Sequence, residues 1–574
     1  MCNRFIVLRK GGKAMLLGID VGGTFTDAVL LDNKNMGVAG EAQVLAQAKV
    51  PTTHEDVLQC LLAALDVVLP QVEQAAQQLD RVVISSTIVT NALTEHKLDP
   101  VFLAVITGPG MNIKGHVPVT PYYLSGYVDH RGKITAQIDW TKHRDLLNKK
   151  GSGVCAISGK FAVREPQLEF QAEHELTKCG YKKVFLGSEL YGELNFVRRT
   201  NSAYFAAQVY TLFQRFSQRI SRALSERGIN AQVHILKADG GTLPMDVALE
   251  QPVEAVFTGP AASVLGIEAL AAPKVNSISL DVGGTTTDIA FWEHGLPLMA
   301  KRGAIINGYP TAVRSFHMRS IGIGGDSRIH KLADGCYQVG PEREGPAAAV
   351  GGSVPTLSDA LIVAGYVGFG DTARSQQAIA SLGGEPVTEA RKIIASACAT
   401  IQATISEMLE EWAKQPVYTV DNVIKGTEFV PAQLIGVGGG APGLIKALGE
   451  VMDLPVDIPL GAMVANAIGA AVARPTLSVG LRADTTDNYY IIPESGRRER
   501  LPRRFNKAVA EELLSAWLWE QTETWQLPDQ ETELISYEHF NTVHGYYDTG
   551  DIYSLRMQLN PGILHKVQGR EVDF

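Results

Sequence analysis

Hydrophobic residues gather in short runs separated by glycine turns and by longer segments of helical spacing, the pattern of an α/β chain. The apolar run at 15–19 delivers Asp20 to a Gly-Gly-Thr turn, and a second apolar run at 28–31 leaves it, so 15–32 reads as strand, turn and strand. Another pair of strands is expected around 36–49. Residues 57–69 have helical spacing, with Asp66 on the polar side and Pro70 ending the segment. A buried strand at 81–86, a helix begun by 87–95 and a strand at 101–108 follow. Strands are expected at 154–158 and 182–188, a long helix over roughly 199–226, and a strand entering a loop at 233–241. Toward the end, 387–414 is spaced as an amphipathic helix, 432–440 as a strand into a glycine loop, and 465–473 as a helix of small residues. Beyond 480 the character changes: Arg497, Arg498, Arg500, Arg503 and Arg504, then tryptophans and tyrosines with few glycines, predict a small appended module.

The first strand-turn-strand unit recurs. DVGGTFTD at 20–27 returns as DVGGTTTD at 281–288, differing only at Phe25 against Thr286. A tight turn alone needs glycine, not a repeat of aspartates and threonines with it, so the pair reads as an internal duplication with a chemical task. Gly22, Gly23, Gly283 and Gly284 let backbone approach a polyphosphate with no Cβ in the way, and Thr24, Thr26, Thr285 and Thr287 with Asp27 and Asp288 complete the cradle. Carboxylates beside phosphates repel them, so Asp20 and Asp281 are expected to hold Mg²⁺, which neutralises that charge. A third loop, GVGGGAPG at 436–443, offers the bare backbone of Gly438, Gly439 and Gly440 to a flat adenosine, followed by Asn466 on the small-residue helix.

Length and charge narrow the reading. A chain of 574 residues has room for about three or four domains. Its net charge of -9 argues against nucleic acid or an anionic membrane as the main partner. Six cysteines without close spacing suggest neither a zinc site nor a disulfide framework and suit a reducing cytoplasm. Residues 1–14 read as an N-terminal extension without function, with no signal peptide or anchor, and no later stretch is long enough to span a bilayer.

At this level of detail the chain resembles the A-type subunit of the hydantoinase/oxoprolinase family, within the actin, sugar kinase and Hsp70 ATPase superfamily. The resemblance is carried by LLGIDVGGTFTDAVLLD at 16–32, STIVTNALTE at 86–95, RRTNSAY at 198–204, ADGGTLP at 238–244, FTGPAASVLG at 257–266, SLDVGGTTTDIAF at 279–291, SIGIGGDS at 320–327 and PTLSDALIVAG at 355–365. It implies duplicated ribonuclease H-like (actin-like ATPase) domains with a nucleotide cleft between them: 15–240 with the first phosphate loop, 241–480 with the second loop and the adenosine loop, and 481–574 appended. It also implies use of Mg-ATP to activate and open a cyclic amide of hydantoin or 5-oxoproline type. The partners expected are that substrate, a B-type hydantoinase subunit and further copies of the chain in a homo-oligomer. Other readings are an ATP-dependent ketone carboxylase subunit, a non-catalytic ATP-driven switch and a small-molecule kinase.

Several positions stay open at this stage. Glu95, four residues after Asn91 on one helix face, is the candidate base, against an ordinary solvent-facing glutamate. Asp326 stands where the family usually has a further glycine, and 340–352 departs from the family's usual segment, which turns attention to the substrate. His317 is the best placed histidine for a metal, against a satisfied core side chain. The arginines at 497–504 read either as a solvated face or as a contact for an acidic partner.

Overall fold

The structure is a computed structural model that describes residues 15–570, apart from 34–40, 54–55, 96–97, 99, 149, 415–428, 526, 528–529 and 545–546. The extension expected over 1–14 lies outside the described residues. The chain is an α/β protein built on two sheets that share one local plan.

In the first sheet, Met15–Val21 is buried at all seven positions, which explains why it reads as a continuous apolar run and not as an alternation. It pairs antiparallel with Phe25–Asp32, Asp20 facing Asp27, and parallel with Leu79–Ser86, Asp20 beside Ser85. Phe25–Asp32 takes Ala42–Pro51 on its outer edge, antiparallel. Of the strand pair expected over 36–49, this is the described member. On the other side Gln232–Leu236 runs parallel to Leu79–Ser86, and Thr242–Pro244 folds back antiparallel.

The second sheet repeats this order. Ser277–Val282 pairs antiparallel with Thr287–Glu293, Asp281 facing Asp288, and parallel with Gln433–Val437, which is parallel to Val456–Asp457. Met318–Ile321 occupies the outer edge of Thr287–Glu293, antiparallel. Each sheet is therefore an antiparallel edge, a glycine hairpin and two parallel strands.

Two helices form the layer between the sheets, Thr258–Leu270 and Ala465–Val472. Ala467, Ile468 and Ala471 pack with Leu16 and Val29 of the first sheet, while Ala261, Ala262 and Ala465 pack with Ile435 and Val437 of the second. Small residues let the backbones touch. A Cβ on Gly18 would come 2.6 Å from Ala471 N, and one on Gly469 would come 2.5 Å from Gly266 N. The outer face of the first sheet is covered by Val57–Val68 and the long helix Phe196–Glu226, and that of the second by Pro386–Ala413 and Ala441–Met452.

A separate all-parallel sheet of Tyr122–Tyr123, Phe102–Ile106, Val154–Gly159 and Lys183–Leu186 is inserted in the first half. The region after 480 forms a five-stranded antiparallel sheet backed by Lys507–Thr524, with its first strand, Ser478–Asp484, beginning just before the expected boundary at 481. The chain then returns: Val567–Gln568 pairs parallel with Ala42 and Gln43 at the edge of the first sheet. Among the described residues no helix is long and apolar enough to cross a membrane.

Candidate functional site

Both hairpin turns are closed by the same bond. Gly22 N donates to Phe25 O at 3.1 Å and Gly283 N to Thr286 O at 2.9 Å. The two turns also meet. A Cβ on Gly284 would come 2.7 Å from Thr24 Oγ1 and 3.0 Å from Asp326 Oδ2, and one on Gly23 would come 3.8 Å from Thr285 Oγ1. Each loop thus presents a threonine hydroxyl to the bare glycine of the other. The loop at 322–327 seals this junction from the second sheet: Gly325 N donates to Gly283 O at 2.9 Å and Asp326 N to Gly284 O at 2.8 Å.

Four aspartates converge beneath the turns. Asp20 is 5 % exposed and accepts from Ser85 Oγ at 2.5 Å. Burial pushes its carboxyl up to about 7, against the Ser85 bond, with Asp27 and Asp281 adding repulsion. Asp281 is pushed up to about 6, chiefly by burial, and accepts from Asn466 Nδ2 at 2.9 Å. Asn466 also hydrogen-bonds Asp20, so it bridges the two hairpins. Asp288 is raised to about 7 by burial and by Asp281. Asp27 is raised by burial as well, although Lys49 Nζ holds its two oxygens at 2.8 and 2.9 Å. The Lys49 charge also acts on Asp281, against the effect of burial.

The glycine loop expected at 436–443 reaches the same place. Gly438 has φ +88°, and a Cβ there would come 2.6 Å from Val282 O, so only glycine fits. Gly440 N donates to Val282 O at 2.9 Å and caps the helix Ala441–Met452, while the space beside Gly439 is open to 4 Å. A helix N-terminus with backbone amides beside four carboxyls is a place for a phosphate-bearing group only when a cation accompanies it.

The residues present fit such a pair. The raised carboxyls of Asp20 and Asp281 are buried acids whose charged form wants a counter-charge, and glycine at 23, 284 and 439 leaves the backbone bare. Among the described residues no group of three or more His, Cys, Asp or Glu is arranged to hold a metal ion. Asp20 and Asp281, bridged by Asn466, could serve Mg²⁺ as two ligands, with phosphate oxygens and water as the others.

Sequence and structure part at some positions. Thr26 and Thr287, expected in the cradle, are fully buried, Thr26 Oγ1 on Thr52 Oγ1 at 2.9 Å and Thr287 Oγ1 on Ile323 O at 2.6 Å. Both lie inside the second strand of their hairpin, where the pleat turns them to the core, whereas Thr24 and Thr285 stand in the turns and are half-buried. Glu95 stands exposed at the C-terminal cap of Ile88–Thr94, whereas the N-terminal end of that helix, Thr87, donates to Val21 O at 3.4 Å. His317 is half-buried and packs between Phe291 and Trp412, ring centroids 6.0 and 5.1 Å away, with its pKa lowered by burial and its Nε2 without a hydrogen-bond partner among the described residues. Asp326 is ion-paired with Arg343 at 3.0 Å. Arg497 to Arg500 form an exposed edge strand, with Arg497 on Glu520 and Arg498 on Glu165. Ser85, Lys49 and Thr258, whose Oγ1 accepts from Ser86 N at 2.9 Å, escaped the sequence reading, since their roles depend on strand neighbours far away in the chain.

Two sheets with matched hairpins whose aspartates and glycines meet over a shared helix layer define an α/β protein with one composite carboxylate site. The family models agree with that geometry: Hydantoinase/oxoprolinase N-terminal region matches residues 16–180 and Hydantoinase/oxoprolinase matches 199–479, and the chain belongs to the hydantoinase/oxoprolinase family as an A-type member. It is 26 % identical over 391 residues to caprolactamase subunit alpha of Pseudomonas jessenii, covering 62 % of this chain and 55 % of that one. It is 23 % identical over 536 residues to the acetone carboxylase beta subunit of Xanthobacter autotrophicus, covering 82 % and 72 %. The matched region thus spans just over half the length of the caprolactamase relative. Two solved structures share the fold: nucleotide-free acetone carboxylase, with TM-score 0.67, 18 % identity and coverage of 96 % and 88 %, and ATP-dependent caprolactamase from Pseudomonas jessenii, with TM-score 0.66, 20 % identity and coverage of 97 % and 89 %.

Proposed function

We propose that this chain is the nucleotide-using subunit of an ATP-dependent hydrolase that opens a cyclic amide of hydantoin or 5-oxoproline type. The observation that carries the reading is the meeting of two Asp-Gly-Gly-Thr hairpins, with Asp20 and Asp281 bridged by Asn466 and the bare backbone of Gly438 to Gly440 alongside. On this reading the two sheets are the cores of duplicated ribonuclease H-like, actin-like domains, over 15–240 and 241–480, with the nucleotide between them, and 481–574 is an appended module in a cytoplasmic protein. Bound Mg-ATP would supply a phosphoryl group to the amide oxygen, which opens the amide carbon to attack by water, so that the ring C–N bond breaks and the phosphoryl group departs as inorganic phosphate. Asp20 and Asp281 would hold the cation, Gly22, Gly23, Gly283 and Gly284 with Thr24 and Thr285 would hold the phosphates, and Ser85 would orient Asp20. Glu95 is the candidate base, and its exposed position asks that a substrate or a B-type partner reach it.

The reading is tested by ADP release from the purified chain with a panel of cyclic amides, alone and with a B-type chain. Amide-stimulated release that disappears in Asp20→Asn supports it, and no stimulated release from any combination overturns it. The sequence similarity to the acetone carboxylase beta subunit, which extends over 82 % of this chain, supports a second reading as a ketone carboxylase subunit. Nucleotide turnover that requires bicarbonate and a ketone selects it.

A further inference from the structure

The C-terminal sheet turns one face to its own helix and the other to the first half of the chain. Val479, Leu481 and Ala483 join the core under Lys507–Thr524, so the alternation sends Gly480, Arg482 and Asp484 the opposite way. There, against Val163 and the loop Gly192–Leu194, lies a cavity of about 200 Å³ whose charged lining is Arg482, Arg556, Glu193 and Glu538.

The arginines of this seam are unequally partnered. Arg556 donates to Glu494 Oε1 at 3.0 Å and to Ser478 Oγ at 3.1 Å. Arg482 is 9 % exposed, its Nε has no hydrogen-bond partner, and it forms no ion pair among the described residues; its side chain hydrogen-bonds Tyr489. Arg164, from the facing segment, also has a buried Nε without a partner and no ion pair among the described residues. Burial, and then the neighbouring Arg482 charge, push Arg164 down to about 10. Nearby carboxylates are engaged by backbone amides: Asp484 accepts from Thr486 N at 3.0 Å and Asp487 N at 3.2 Å, and Asp129 from Arg131 N and Lys133 N at 2.9 Å. Neither guanidinium is in an ion pair among the described residues, and the carboxylates that act on Arg164, Asp129 and Asp484, are shared with backbone amides, so part of the positive charge of the seam is left for a further partner.

We propose that this seam binds a small oxyanion, a carboxylate, bicarbonate or phosphate group, gripped by Arg482 with Arg164 beside it. The planar guanidinium fork matches two oxygens of such a group, and a buried setting strengthens the bond. Glu193 and Glu538 repel polyanions, which favours a ligand of one or two charges over a nucleotide. The site lies between the first half of the chain and the C-terminal sheet, so an occupant would draw the two together. It does not depend on the nucleotide reading.

The test uses the whole chain, with phosphate, bicarbonate, acetate and glutamate each added at constant ionic strength against chloride, and thermal melting and calorimetry as readouts. At least one oxyanion is expected to raise the melting temperature by about 3 °C where chloride does not. Arg482→Gln should weaken that binding at least tenfold and Arg164→Gln several-fold. Should Arg482→Gln fail to fold, Arg164→Gln carries the test. No oxyanion-specific shift in the unaltered chain, or binding undiminished in the variants that fold, overturns the proposal. Which anion binds identifies the physiological source.

Discussion

Burial raises the carboxyl of Asp20 to about 7 and that of Asp281 to about 6, so the chain holds protons at its site that an unfolded chain would release near 3.8. The sign follows directly. A carboxyl whose folded pKa lies above its unfolded value stabilises the fold fully below about 3.8, and that contribution is lost as pH rises toward 7. For Asp20 the full span is on the order of 4 kcal/mol. The nucleotide-free chain should therefore melt at lower temperature at pH 8 than at pH 5.5, and Asp20→Asn should flatten this slope while removing turnover; melting curves across pH with both proteins check it, and an unchanged slope in the variant refutes the assignment. Ser85 acts in the opposite sense, since its hydroxyl favours the charged form of Asp20. In Ser85→Ala the acid limb of the turnover profile should move to higher pH, with nucleotide affinity at pH 8.5 little changed. Neither role can be read from Ser85 alone in the sequence, because a serine ending a buried strand looks like any other until its neighbour is known.

At the scale of elements, the helix pair Thr258–Leu270 and Ala465–Val472 fixes how the two hairpins meet. Gly18, Gly266 and Gly469 are the points where backbone touches backbone. Gly469→Val would force the helices apart and should cost about 3 kcal/mol or more, seen as a fall in melting temperature together with weaker nucleotide binding. Loss of stability with binding intact would mean that the spacing of the helices does not set the site. The hairpins, the buried strands and the long helices were legible because their periods, two or continuous for strands and 3.6 for helices, depend only on near neighbours. Thr258–Leu270 carries part of the family likeness, yet its spacing does not predict a helix, for an Ala- and Gly-rich segment buried nearly all round shows no polar face. The antiparallel sheet after 480 was also not foreseen, and Lys49 could not be placed, because its partner Asp27 is set by strand register and not by spacing.

Across the whole molecule, the end of the described chain ties back to its beginning. Ala42 N donates to Lys566 O at 2.7 Å, Leu564 N to Val472 O at 2.7 Å and Arg474 N to Gly562 O at 2.9 Å. Ending the chain after Asn560 should expose the edge of Ala42–Pro51 and the apolar Ile563, Leu564 and Val567 sites, lowering stability by on the order of 3 kcal/mol and promoting self-association. Calorimetry with light scattering reads both effects, and a truncated chain as stable and monodisperse as the full one refutes the tie. The reciprocal contact of the two turns reaches further, into which changes the chain can accept. Thr24 fills the space that Gly284 leaves bare, and Thr285 faces Gly23 across the same junction, so each turn is a wall of the other. Neither turn is free to vary alone: a bulkier residue accepted in one must be answered across the junction, and two segments far apart in the sequence are bound to change as a pair.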